Sequence, residues 1–112
     1  MQFNLEDRGK FQVCSIIGVV NASNSEHFTD LFSEIVINCT KDLIVNLEHL
    51  EFIDSRGIST FLVAQKLLAK NGFTLFISNA PRTLKKLLDI TFLDKVIPVF
   101  DDMSNVPGIE QS

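Results

Sequence analysis

Tryptophan and tyrosine are absent from this chain of 112 residues, and all ten aromatic side chains are phenylalanine. Phenylalanine brings volume without a polar handle, so these rings read as core filler and mark no site. Cysteine and histidine are scarce, with two of each. Cys14 and Cys39 form no Cys-x-x-Cys pair, and His27 and His49 share no metal-ligand spacing with them. That pattern argues against a metal centre and for two buried thiols in a reducing compartment. A basic excess is also lacking. The net charge of −4 and isoelectric point near 5.0 argue against a binder of nucleic-acid backbones. No apolar run approaches the ~20 residues of a membrane span. Met1-Gln2-Phe3-Asn4 has neither the basic nor the apolar region of a signal peptide. The cytoplasm is the expected compartment, with no cofactor and no metal.

What is present is a regular alternation of apolar patterns. Phe3 and Leu5 alternate with polar neighbours, which predicts a first strand, and Asp7-Arg8-Gly9-Lys10 predicts a tight hairpin turn. In the second strand Phe11, Val13, Ser15 and Ile17 fall on one face and Cys14 and Ile16 on the other, until Gly18-Val19-Val20-Asn21 closes it. Ser23-Asn24-Ser25-Glu26 has the Ser-x-x-Glu spacing of a capping box, with Ser23 as the cap. Phe28, Leu31, Phe32, Ile35 and Val36 then predict an amphipathic helix. Leu43 to Leu47 is a continuous apolar run, the mark of a strand covered on both faces.

A second helix is expected over Ile58 to Ala69, ended by Asn71-Gly72. Val63, Ala64 and Leu67 widen its apolar stripe, either as core against a neighbouring helix or as a partner surface. Phe73 to Ile77 reads as a strand, and Pro81 opens a third helix with Leu84, Leu87 and Leu88 inward and Arg82, Lys85 and Lys86 outward. Pro98 confines the strand-like Val96 to Phe100 to a sheet edge. This order predicts an α/β fold, a mixed sheet with an N-terminal antiparallel hairpin and helices packed against it. One domain is expected over residues 1–106 with a flexible tail over 107–112, and the polar stretch from Asp101 is expected to fray or to form at most one helical turn.

The step Phe52-Ile53-Asp54-Ser55-Arg56-Gly57-Ile58 lies between a strand and a helix, where backbone N–H groups and the helix dipole favour negative charge. By itself Ser55 reads first as a helix cap, because such caps are common. On that reading Ser55→Ala folds normally with a loss of ~1 kcal/mol. A phosphate acceptor is the other reading. A serine nucleophile is disfavoured, since Gly-x-Ser-x-Gly is missing and His49 lies only six residues upstream.

The block Ile44-Val45-Asn46-Leu47 with Leu50-Glu51-Phe52-Ile53-Asp54-Ser55-Arg56-Gly57 resembles the signature of STAS domains, the fold of bacterial anti-sigma factor antagonists. Asn71-Gly72-Phe73-Thr74-Leu75 and Leu87-Leu88-Asp89-Ile90-Thr91-Phe92-Leu93-Asp94 continue the pattern in order, from about residue 3 to about residue 106. The resemblance implies a non-enzymatic partner-switching protein in signal transduction. It implies that Ser55 is phosphorylated by a GHKL-type serine kinase, often itself the anti-sigma factor, and that a PP2C-type phosphatase reverses this. The unphosphorylated form binds the kinase or anti-sigma factor, and the phosphorylated form releases it. The implied contact set is Asp54, Ser55, Arg56, Gly57, Ile58 and Ser59. A non-switching STAS subunit of a transporter ATPase complex is the alternative. Two residues depart from the family pattern: Arg56 stands where a Ser, Thr or small residue is usual, and Phe92 where a glycine is usual.

Overall fold

The computed structural model describes residues 1–109. β1 (Gln2–Arg8) and β2 (Phe11–Val20) form an antiparallel hairpin in which Gly9, at φ +62°, takes the first position of the two-residue loop. α1 (Ser25–Ile37), β3 (Asp42–Asn46), β4 (Leu50–Ile53), α2 (Ser55–Lys70), β5 (Leu75–Ser78), α3 (Arg82–Ile90) and β6 (Val99–Phe100) follow. The sheet order is β1-β2-β3-β5-β6, all parallel after the hairpin. Pro98 precedes the edge strand β6 and uses only its carbonyl, which accepts from Ile77 N–H at 3.0 Å. The expected mixed α/β sheet with its leading hairpin is therefore what forms.

The strand faces divide as the alternation in β2 predicts. Cys14 and Ile16 join Leu43, Val45, Leu75 and Ile77 under α1, α2 and α3. Phe11 and Val13 join Ile44 on the opposite face. Phe28, Phe32 and Phe61 are fully buried where α1 meets α2, and Phe3 of β1 stacks on the first two. Both cysteines are free and buried, and burial pushes the Cys14 thiol up to about 12, far from any reactive thiolate.

Four features differ from the sequence pattern. First, Phe52 and Ile53, read as part of the step between strand and helix, belong to a strand of their own, Leu50–Ile53. It pairs with Gly18–Val20, and the register slips so that Leu50 opposes Gly18 while Phe52 opposes Val19. The extra residue, Glu51, leaves Leu50 and Ile53 both buried, a spacing that a period-two reading misses. Second, Ser23 does not cap α1. Its N–H and hydroxyl both bind Asn21 Oδ1, at 3.0 and 2.6 Å, while Asn24 holds the Ncap position without a side-chain cap bond. Third, α2 starts at Ser55, three residues before Ile58.

Fourth, the chain end covers the second sheet face. A 3-10 turn at Met103–Asn105 leads to Val106, buried against Phe11, Val13 and Ile44, and Ile109 packs on the same cluster. Of the tail expected over 107–112, residues 110–112 lie outside the described part. Val63 and Leu67 are solvent-exposed, and only Ala64 of that trio enters the core.

Candidate functional site

The loop between β4 and α2 is held at its first residue. Asp54 is extended, with φ −87° and ψ 178°, and its N–H donates to Val20 O at 2.9 Å. Its carboxylate accepts from Gly57 N–H at 3.0 Å, and its carbonyl accepts the first helical bond from Ile58 at 3.1 Å. Asp54 is thus the N-cap, and the cap assignment to Ser55 is overturned. Ser55 sits at the first helical position, exposed, and its hydroxyl has no hydrogen bond among the described residues. The N–H groups of Ser55 and Arg56 are likewise without partners among those residues, as the opening of a helix requires. A group on the Ser55 oxygen therefore meets two free donors and the positive end of the α2 dipole.

The stability consequence is direct. Asp54→Ala is expected to cost about 1 kcal/mol, whereas Ser55→Ala should stay within about 0.5 kcal/mol of wild type. Urea unfolding followed by far-UV circular dichroism tests this, and equal losses in the two variants would return the cap to Ser55.

Gly57 explains how the helix gets so close to the sheet. A Cβ built there would lie 2.4 Å from Cγ1 and 2.6 Å from Cδ1 of Ile53, and 3.3 Å from Val20 Cγ1. Ile53 is only 2% exposed, so its side chain has little room to yield. Gly57→Ala is expected to lose about 1–2 kcal/mol, the overpacking cost less the helix-propensity gain. Trimming the neighbour in Gly57→Ala/Ile53→Ala, which removes both the Cγ1 and Cδ1 carbons, should recover part of that loss. Additive losses in this double-mutant cycle would show that the contact does not set the helix position.

The structure divides the six expected contact residues. Ser55, Arg56 and Ser59 are exposed and Asp54 is half-buried, and these four form one surface. Gly57 and Ile58 are buried, so they seat the helix on the sheet and do not present a surface. Ser59 Oγ donates to Ser55 O at 3.0 Å, one turn further along the same face. Arg56 forms no ion pair among the described residues and lines an open groove of about 310 Å³ between α1 and α2. Glu26 and Asp30 stand on the α1 side of that groove. Within its lining, Thr29 Oγ1 and Thr60 Oγ1 lie 2.9 Å apart and tie the two helices together.

Val20 and Thr60 hold this site in place yet lie outside the motif. A glycine three residues past the cap was the one available signal, since glycine inside a helix is costly unless close packing needs it.

The family pattern described as the STAS domain matches residues 2–106. The chain belongs to the STAS domain family. Among characterised relatives, an anti-sigma F factor antagonist of Paenibacillus polymyxa is 29% identical over 63 residues, which is 56% of this chain and 54% of that protein. An anti-sigma-B factor antagonist of Staphylococcus aureus is 26% identical over 101 residues, covering 88% of this chain and 94% of the relative. Among solved structures, unphosphorylated SpoIIAA superposes with a TM-score of 0.74 at 20% identity, covering 94% of this STAS domain and 93% of that chain. At that identity the likeness shows the fold, and the role of Ser55 must be argued from the site.

Proposed function

We propose that this STAS domain is a phosphorylation-controlled, non-enzymatic partner-switching protein, an anti-sigma factor antagonist acting in the cytoplasm. Unphosphorylated Ser55 permits binding of an anti-sigma factor that is itself a GHKL-type serine kinase. Phosphorylated Ser55 enforces release, and a PP2C-type phosphatase restores binding. The relatives named as antagonists of anti-sigma factors support this partner class.

The carrying observation is the exposed, uncommitted hydroxyl of Ser55 at the first position of α2, freed because Asp54 takes the cap. Within the free protein a phosphate there is well received, since it adds three acceptor oxygens beside two unpaired N–H groups. At a closed interface the same group must be desolvated, and Asp54 next to it adds like charge. Phosphorylation thus lowers binding without unfolding the domain. Arg56, where the family usually has a small or hydroxylated residue, lies within the contact surface and selects among kinases.

The test is capture from native lysate with wild type, Ser55→Ala and Ser55→Asp as baits. A GHKL-type serine kinase held by Ser55→Ala and not by Ser55→Asp supports the switch. Equal capture of one partner by all three baits defeats it, and a transport ATPase as that partner would establish the accessory-subunit role instead.

A further inference from the structure

The two ends of the sheet are unlike. β6 offers two residues behind Pro98, whereas β1 runs for seven and pairs with β2 alone. In a two-residue hairpin the closing pair, here Arg8 and Phe11, exchanges hydrogen bonds, and so does every second pair beyond it. The even-numbered residues of β1 thus bond to β2. Gly18 and Val20 fit this alternation, because their backbone bonds run to His49 and Asp54 on the far side of β2. Phe3, Leu5 and Asp7 turn their N–H and C=O groups outward, where no backbone partner meets them among the described residues.

An apolar seam follows the same edge. Leu5 is 47% exposed and shares an open groove of about 390 Å³ with Phe3 of β1 and with Leu31 and Ile35 of α1. Gln12, Glu34 and Asn38 complete its lining. The charges on the strand itself are matched within the chain. Glu6 pairs with Arg8 at 3.8 Å, and Asp7 pairs with Lys41. Edge charges that would keep a like strand away are therefore balanced by close opposite charges.

We propose that β1 pairs antiparallel with β1 of a second copy about a two-fold axis at Leu5, joining two sheets into one. In that register Phe3, Leu5 and Asp7 each meet an outward residue of the mate, so the free groups along the edge are bonded. Leu5 packs on its own symmetry mate, and the two grooves join into one apolar seam. Asn4 lies opposite Glu6 and Gln2 opposite Arg8, so no like charges are directly opposed. Moving the axis to Glu6 would set that carboxylate on itself, and moving it to Asn4 would leave Arg8 unmatched. An extended peptide of another protein satisfies the same backbone groups, but the full-length match of the strand to itself favours a second copy. β1 reaches only Phe11–Ile17 of β2, whereas β4, which leads to Ser55, lies along Gly18–Val20. The dimer therefore keeps both Ser55 surfaces open.

Sedimentation equilibrium of the full chain tests this, whatever the role of Ser55. Wild type should dimerise reversibly with a dissociation constant of roughly 1–100 µM, as suits a short seam. Leu5→Glu sets two carboxylates opposite each other at the axis and should weaken the dimer roughly tenfold or more. Because Leu5 is half exposed, the unfolding midpoint of that variant should match wild type at a concentration where both are monomeric. Leu5→Pro removes one outward N–H and no bond to β2, and it too should dissociate the dimer. In amide exchange read by NMR, Leu5 and Asp7 should gain protection as concentration rises. Asn4 and Glu6, already bonded to β2, should not change. Ser55→Asp should dimerise as wild type does. Three results would each overturn the proposal: a chain still monomeric at ~1 mM, a dimer unmoved by Leu5→Glu, or a dimer whose Leu5 and Asp7 amides exchange as in the monomer. The first would leave the edge to an extended peptide of another protein.

Discussion

Ser55→Asp is expected to weaken the domain's hold on the kinase partner proposed for it by about a hundredfold, or ~3 kcal/mol, with no loss of fold stability. The two halves of this expectation have one structural cause. An acidic side chain at the first position of a helix is favoured by the dipole and by free N–H groups, so the isolated domain tolerates it. In the complex that carboxylate must leave water beside Asp54, whose own oxygen is committed to Gly57 N–H and cannot move away without uncapping α2. Calorimetric titration of the purified partner against both proteins at one ionic strength gives the ratio. A change below about threefold would remove Ser55 as the switch. Ser55→Ala should bind as wild type does. The phosphorylated protein, carrying about −1.5 to −2 charge, should lose at least as much affinity as the aspartate variant.

The largest stability effect is expected from Phe61→Ala, a loss of about 3–5 kcal/mol. Phe61 is fully buried and meets Phe28 and Phe32 edge-on, with ring centroids 6.0 and 5.5 Å apart. Those two rings stack on each other at 5.7 Å and on Phe3 of β1. Removing the central ring therefore opens a cavity shared by β1, α1 and α2, which no single side chain can refill. Phe61→Leu should cost no more than about half as much, since most of the volume remains. Denaturant midpoints read by far-UV circular dichroism suit a chain that has no tryptophan. A loss under about 1 kcal/mol for Phe61→Ala would mean that the two helices are not joined through these rings.

Much of the site was legible before any coordinates. Helix α1 shows its stripe because Phe28, Phe32 and Val36 recur every four residues, and the hairpin shows because Gly9 interrupts two alternating runs. Asp54-Ser55 at a strand-to-helix step locates a polar surface by local pattern alone. Other features depended on pairing. β4 is four residues long with a bulge at Glu51, so its two buried residues are not two apart, and only the neighbouring β2 reveals it as a strand. Ser23 met the spacing of a capping box, yet Asn21 competes for its hydroxyl at 2.6 Å, and spacing does not register a competitor. Val106 looked like part of a polar tail because its apolar partners, Phe11, Val13 and Ile44, lie far away in the chain.

The amino-acid sequence by itself determined the α/β class, the succession of elements and the presence of Ser55 at the head of a helix, because apolar periodicity and turn chemistry are local properties. Only the tertiary structure decided which of two adjacent polar residues caps α2 and which is left free. That choice rests on the Val20–Asp54 hydrogen bond between residues distant in sequence, and on the room that Gly57 leaves for Ile53 beneath the helix. Neither can be read from the identities of Asp54 and Ser55, both of which are good capping residues.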